Sequence, residues 1–116
     1  MKTVLSVTEI CGSKRLTRDD GNLINEHVSK MWDKFDSITI DFNNIPVASV
    51  SFLDQALGIL ALDHDLEEVK KKLEFVNISA FDRRLLNDIL VSRGQQRRAG
   101  EKRSPRKPNG VRRANR

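Results

Sequence analysis

A single cysteine, Cys11, stands in a chain of 116 residues, which excludes an internal disulfide and leaves no second thiol to share a metal ion. Tyrosine is missing and tryptophan occurs once, so the core must rest on aliphatic side chains and five phenylalanines. No apolar run approaches the ~18 residues that a membrane-spanning helix requires. The opening residues, MKTVLSVTEICGSKR, alternate in polarity and carry no small-residue cleavage site, so no secretory signal is expected and the cytoplasm is the expected compartment. Motifs of several enzyme classes are missing too. There is no G-x-G-x-x-G or P-loop, and no G-x-S-x-G elbow accompanies the serines, histidines and aspartates. His27 and His64 are the only histidines. The adjacent Asp63, His64 and Asp65 do not converge easily on one ion, so they read as a polar helix break. Cys11 reads as an inert buried thiol. The expectation is a non-enzymatic protein with no metal and no cofactor.

What is present is an uneven charge. Arg93 to Arg116 carries ten Lys or Arg against one acid, whereas the first 92 residues carry eleven against fifteen. An acidic body bears a basic tail. The tail holds glycines and prolines and almost no large apolar residue beyond Val111, so it cannot bury enough surface to offset its ordering entropy. A domain over residues 1–95 and a tail over 96–116 are expected, with disorder from about Gly100 and the preceding segment prolonging a helix. The spaced basic residues Arg97, Arg98, Lys102, Arg103, Arg106, Lys107, Arg112 and Arg113 suit non-specific contact with nucleic-acid phosphates. An acidic protein partner or a merely solubilising role fits the same composition. A membrane surface is disfavoured, since no lipid anchor or aromatic accompanies the cations.

The body alternates strand and helix signals. Thr3 to Ile10 is rich in β-branched residues and reads as a strand. Thr17 with Arg18, Asp19 and Asp20 marks a helix start, and Leu23, Ile24, His27, Val28, Met31, Trp32 and Phe35 follow at helical spacing. Ser37 to Phe42 alternates as a strand and ends in the turn residues Asn43, Asn44 and Pro46. Ser51 and Asp54 form an S-x-x-D helix start, followed by the dense apolar run Phe52 to Leu62. Leu66, Val69 and Leu73 predict a short helix, Phe75 to Ile78 a strand, and Ser79 with Asp82 the start of a last helix. This order favours a small α/β layer, with helices packed on a mixed sheet.

A strand ending Ile-Asp-Phe, a short loop, Ser-Phe-Leu-Asp-Gln opening an apolar helix, and Phe-Val-Asn-Ile-Ser before the last helix together resemble the STAS-like family of mostly unassigned function. The chain is more distantly similar to the STAS anti-sigma factor antagonists. The resemblance spans roughly Thr3 to Arg93. It implies a four-to-five-stranded mixed sheet flanked by helices and a non-enzymatic role in protein–protein regulation, with a GHKL-type ATP-binding protein as the usual STAS partner. The antagonists carry Asp-Ser-Ser-Gly-Leu at this helix start, the first serine accepting phosphate. Aligned without gaps, Ser49 falls at that aspartate, Val50 at the acceptor, Ser51 at the second serine and Phe52 at the glycine, so the acceptor itself is missing.

The candidate site is therefore the strand–loop–helix around Ser51. Ser49, Ser51, Asp54, Gln55 and Asp41 are its candidate partner-binding residues, with Ser51 also a candidate phosphosite. Each has a plainer role open to it: Ser51 as an N-cap, Asp54 as a first-turn acid favoured by the helix dipole, and Asp41 as a turn-capping acid.

Overall fold

The computed structural model describes residues 1–12 and 14–103, the last three as backbone only. Lys2–Ser6 forms β1, Ser37–Asp41 forms β2 and Leu73–Val76 forms β3. They build one sheet in the order β1-β2-β3. Both pairings are parallel, with Thr3 opposite Ile38 and Ile38 opposite Leu73. The small α/β layer holds, but among the described residues the sheet has three strands rather than four or five and is not mixed. The cause lies in the connections, because each pair of successive strands is separated by helices, and a helical crossover returns the chain in its original direction.

Alternation along β2 decides which face of the sheet is covered. Ile38 and Ile40 are fully buried, as is Phe42 just beyond the strand end. On the opposite face Val4, Thr39 and Glu74 lie side by side, with Val4 64% exposed. Parallel sheets are usually covered on both faces and read as continuous apolar runs; the Ile-Thr-Ile-Asp alternation instead suits a sheet covered on one.

The first strand stops short of the expected Ile10 because Ser6 begins a helix. Its Oγ accepts the Glu9 N–H at 3.3 Å, opening α1, Val7–Cys11. Helix α2, Arg18–Met31, starts where Thr17 and Asp20 cap each other: the Asp20 N–H donates to Thr17 Oγ1, and the Thr17 N–H donates to Asp20 Oδ2 at 2.9 Å. The Thr17 bond is the main cause holding the Asp20 carboxyl below its ordinary value, against the opposing effect of burial. Ile24 and Val28 point into the core, as does Trp32 beyond the helix end. The Trp32 ring stacks on His64 at 4.2 Å, and Lys72 Nζ lies 5.4 Å from its centroid.

The apolar run after the loop is helical but not a uniform α-helix. Helix α3, Val50–Leu53, passes into a π-helical stretch, Asp54–Gly58, and then into α4, Leu60–Asp63. A bond from the Ile59 N–H to the Asp54 carbonyl, spanning five residues, marks the π geometry. Phe52, Leu53, Ala56, Leu57, Leu60 and Ala61 are all buried; full burial of a side chain the size of Phe52 contributes about 1.5–3 kcal/mol. Against this element α2 packs closely, since a Cβ on Gly21 would lie 2.7 Å from the Phe52 carbonyl oxygen.

His64 ends α4 and Asp65 precedes α5, Leu66–Lys72. The polar break is where the sequence places it. Strand β3 begins two residues before the expected Phe75, directly after α5. The last helix, α6, runs from Ala80 to Arg103, continuing through the expected domain boundary at 95 and past Gly100, where disorder was expected to begin. No helix among the described residues is long and apolar enough to cross a membrane.

Candidate functional site

Three strand ends meet one loop. Asp41, at the end of β2, accepts from the Asn43 N–H at 2.8 Å and from Asn77 Nδ2 at 2.9 Å. Asn43 Oδ1 in turn accepts from Ser6 Oγ at 3.1 Å and the Thr8 N–H at 3.0 Å. Asn43, Asn44 and Asn77 have positive φ, a region that asparagine tolerates better than most residues. The Asn77 amide, then the Asn43 N–H, holds the Asp41 carboxyl below its ordinary value. Asp41 is thus a turn-capping acid that ties β2 to the residue after β3.

The far end of the loop is pinned by a residue 34 positions away. Asp82, 1% exposed, accepts the Val47 N–H at 2.8 Å and the Ala48 N–H at 2.7 Å, one on each carboxylate oxygen. Ala48 has φ of 44°, a conformation costly for a residue with a Cβ, and this bond helps hold it. Ser79 Oγ accepts the Asp82 N–H at 3.0 Å, so the serine caps α6 as expected. The Asp82 carboxylate is directed to the loop.

This pinning sets where α3 begins. Ser49, not Ser51, is the cap: its Oγ accepts the Phe52 N–H at 3.2 Å. The expectation of a helix opened by Ser51 is corrected by two residues. Ser51 is an exposed first-turn residue, and it lines a cleft of about 510 Å³ between Arg15–Arg18 and Val47–Ser51. Asp54 follows as the first π-helical residue rather than as a capping-box acid. Both of its oxygens accept from Arg93 on α6, Oδ1 from Nε at 2.8 Å and Oδ2 from an Nη at 2.6 Å. That bidentate bond holds the Asp54 carboxyl below its ordinary value and raises Arg93. Gln55 donates to Asn22 Oδ1 at 3.1 Å and accepts a 3.5 Å bond from Arg18, linking the π stretch to α2.

Of the five expected residues, Ser49 and Ser51 share the cleft, Asp54 and Gln55 make bonds between helices, and Asp41 sits at the strand-end network. Val50, at the end of the loop Asn43 to Val50 that the sequence suggests for docking, is 57% exposed, and Phe81, expected on the apolar face of the last helix with Leu85 and Leu86, is instead 66% exposed. Val50 follows the pinned loop, and Phe81 immediately precedes the aspartate that pins it. Arg97 and Arg98 lie on α6, with Arg98 exposed, and Lys102 and Arg103 fall in its last residues. Arg106, Lys107, Arg112 and Arg113 lie outside the described residues. Cys11 is buried, and desolvation, then the Asp20 charge, pushes its thiol up, away from the reactive thiolate. Among the described residues no group of three His, Cys, Asp or Glu side chains could hold a metal ion.

The family comparison covers this same region. A family model described as STAS-like domain of unknown function (DUF4325) matches residues 20–82, from the first turn of α2 through the loop and π stretch to Asp82. No curated protein and no solved structure gives a significant match. With more than half of its length matched, the chain belongs to the family of STAS-like domains of unknown function.

Proposed function

We propose that the protein is a non-enzymatic regulatory module that docks a partner protein through the loop 43–49, the start of α3 and the adjoining first turn of α6. The observation that carries this reading is the pair of bonds that buried Asp82 accepts from the loop backbone, with exposed Val50 following the loop in sequence and exposed Phe81 preceding Asp82. A loop fixed before binding loses little conformational entropy on docking. Exposed apolar side chains beside it offer the kind of anchor that dominates protein interfaces. The STAS likeness favours a GHKL-type ATP-binding protein as the partner. The test is the affinity of the purified full chain for such an ATPase from the same cell. Val50→Asp with Phe81→Asp is expected to weaken binding by at least about thirtyfold, equivalent to roughly 2 kcal/mol. Unchanged affinity with a correctly folded double variant contradicts the reading.

A second reading is contact of the C-terminal basic residues with nucleic acid. Its support is the continuation of α6 to Arg103, which places Arg97 and Arg98 on a regular scaffold beyond the family match. Binding of this kind is steeply salt-dependent. Arg97→Gln with Arg98→Gln is expected to reduce the salt slope by about two; affinity indifferent to salt and to both substitutions contradicts it.

A further inference from the structure

The cleft between Arg15–Arg18 and Val47–Ser51 has a chemistry that the docking surface does not explain. Arg15, Thr17, Arg18, Ser49 and Ser51 are among the residues that line it. No carboxylate lines it. Arg15 is exposed and makes no hydrogen bond or ion pair among the described residues. Arg18 is exposed too, with a long 3.5 Å bond to Gln55 and an electrostatic interaction with Asp54, whose oxygens are both taken by Arg93. Two cations therefore border one concavity with little of their charge neutralised in place. Ser51 contributes a hydroxyl with no partner among the described residues, while the Thr17 hydroxyl donates to and accepts from Asp20 and the Ser49 oxygen accepts the Phe52 N–H.

We propose that this cleft binds a phosphate monoester, with Arg15 and Arg18 holding the dianion and the Ser51 hydroxyl donating to one of its oxygens. Two guanidinium groups match a doubly charged tetrahedral anion better than a single carboxylate, because each can present two N–H donors to the phosphate oxygens. The volume of about 510 Å³ lies within the ~300–1,000 Å³ usual for small-molecule sites and exceeds what phosphate alone fills. The esterified group then rests on buried Leu16 and half-buried Val47. Phosphate carried by a small molecule and phosphate carried by a serine side chain share this chemistry. Ser51 acts here as a hydrogen-bond donor, and no covalent step is involved. The cleft shares Val47, Ala48, Ser49 and Ser51 with the proposed docking surface, but the inference does not rest on that reading, and a test without any partner protein keeps the failure of one distinct from the failure of the other.

The test is an amide NMR titration of the full chain, at constant ionic strength, with inorganic phosphate, O-phosphoserine, adenosine monophosphate and, as control, acetate. Saturable shifts are expected for the phosphates, centred on residues 15–18 and 47–51, with acetate at least about tenfold weaker. A preference for phosphoserine identifies a modified side chain as the source, and a preference for the nucleotide identifies a small molecule. Arg15→Gln with Arg18→Gln is expected to lower affinity at least about tenfold, and Ser51→Glu, which brings a negative charge to the rim, to do the same. Arg84→Gln on the exposed first turns of α6 is expected to change nothing. No saturation by any phosphate, acetate binding as well as phosphate, or binding that survives both cleft variants overturns the proposal; the first two outcomes need only the unsubstituted chain.

Discussion

At the scale of single residues, the cap that the S-x-x-D pattern gives to Ser51 belongs to Ser49. Ser49 caps and Ser51 does not. Ser49→Ala is expected to cost about 1 kcal/mol, whereas Ser51→Ala should stay within about 0.5 kcal/mol, both read from urea unfolding at constant m-value. Equal losses from the two substitutions contradict the assigned helix start. Asp82 is the residue whose weight was hidden. Ser79-x-x-Asp82 announces a helix start, and Ser79 does cap it, but nothing local reveals that the carboxylate reaches back to residues 47 and 48. Asp82→Ala leaves two loop N–H groups without their acceptor, and a loss of about 2–4 kcal/mol is expected in the same unfolding experiment. A loss below about 0.5 kcal/mol is the contrary result. The S-x-x-D pattern at Ser51 and Asp54 misled for the same reason, because Asp54 is claimed by Arg93, 39 residues away in sequence.

At the scale of elements, periodicity found most of the helices and missed how they join. Thr17 and the spacing of Ile24, Val28 and Trp32 disclose α2, and the density of Phe52 to Leu62 discloses a helix buried on most sides. The π geometry of Asp54–Gly58 leaves no mark in the apolar pattern, because its register is fixed by contacts with other helices. A Cβ on Gly58 would come within 2.5 Å of Asp54 Oδ1 and 2.6 Å of Ile89 on α6. Gly21→Ala puts a methyl group against the Phe52 carbonyl, and a destabilisation of about 1–3 kcal/mol is expected from the forced separation of α2 and α3. A melting temperature equal to that of the parent contradicts so close a contact. The Asp54–Arg93 pair also makes stability depend on acid. The folded carboxyl titrates below its ordinary 3.8, so its contribution is fully present above that value and is lost as pH falls through the lower folded value. Asp54→Asn is expected to flatten the fall in unfolding free energy between about pH 5 and pH 2; an unchanged slope counts against the pair.

At the scale of the whole molecule, the α/β class was legible because strands and helices alternate along the chain. The number and direction of the strands were not. Thr3 to Ile10 looks strand-like throughout, and only the Ser6 cap and the bond from the Thr8 N–H to Asn43 show why the chain turns into α1. The division of charge was legible too, and so was the prolonged last helix that carries Arg97 and Arg98, although it runs on to Arg103 rather than stopping before Gly100. A sheet covered on one face leaves Val4 and Thr39 outside, while the pinned loop, Val50 and Phe81 occupy the C-terminal ends of the strands and the adjoining helix starts. Ligands of open parallel sheets gather beyond those strand ends. The central claim is that this edge, and neither the open sheet face nor the basic end of α6, meets the partner. Amide hydrogen exchange of the full chain, alone and saturated with the proposed GHKL-type ATPase, separates the three surfaces in one measurement. Protection confined to residues 43–52 and 80–84 is the expected result; protection that falls instead on Lys2–Ser6, or on α6 beyond Gly94, contradicts the claim.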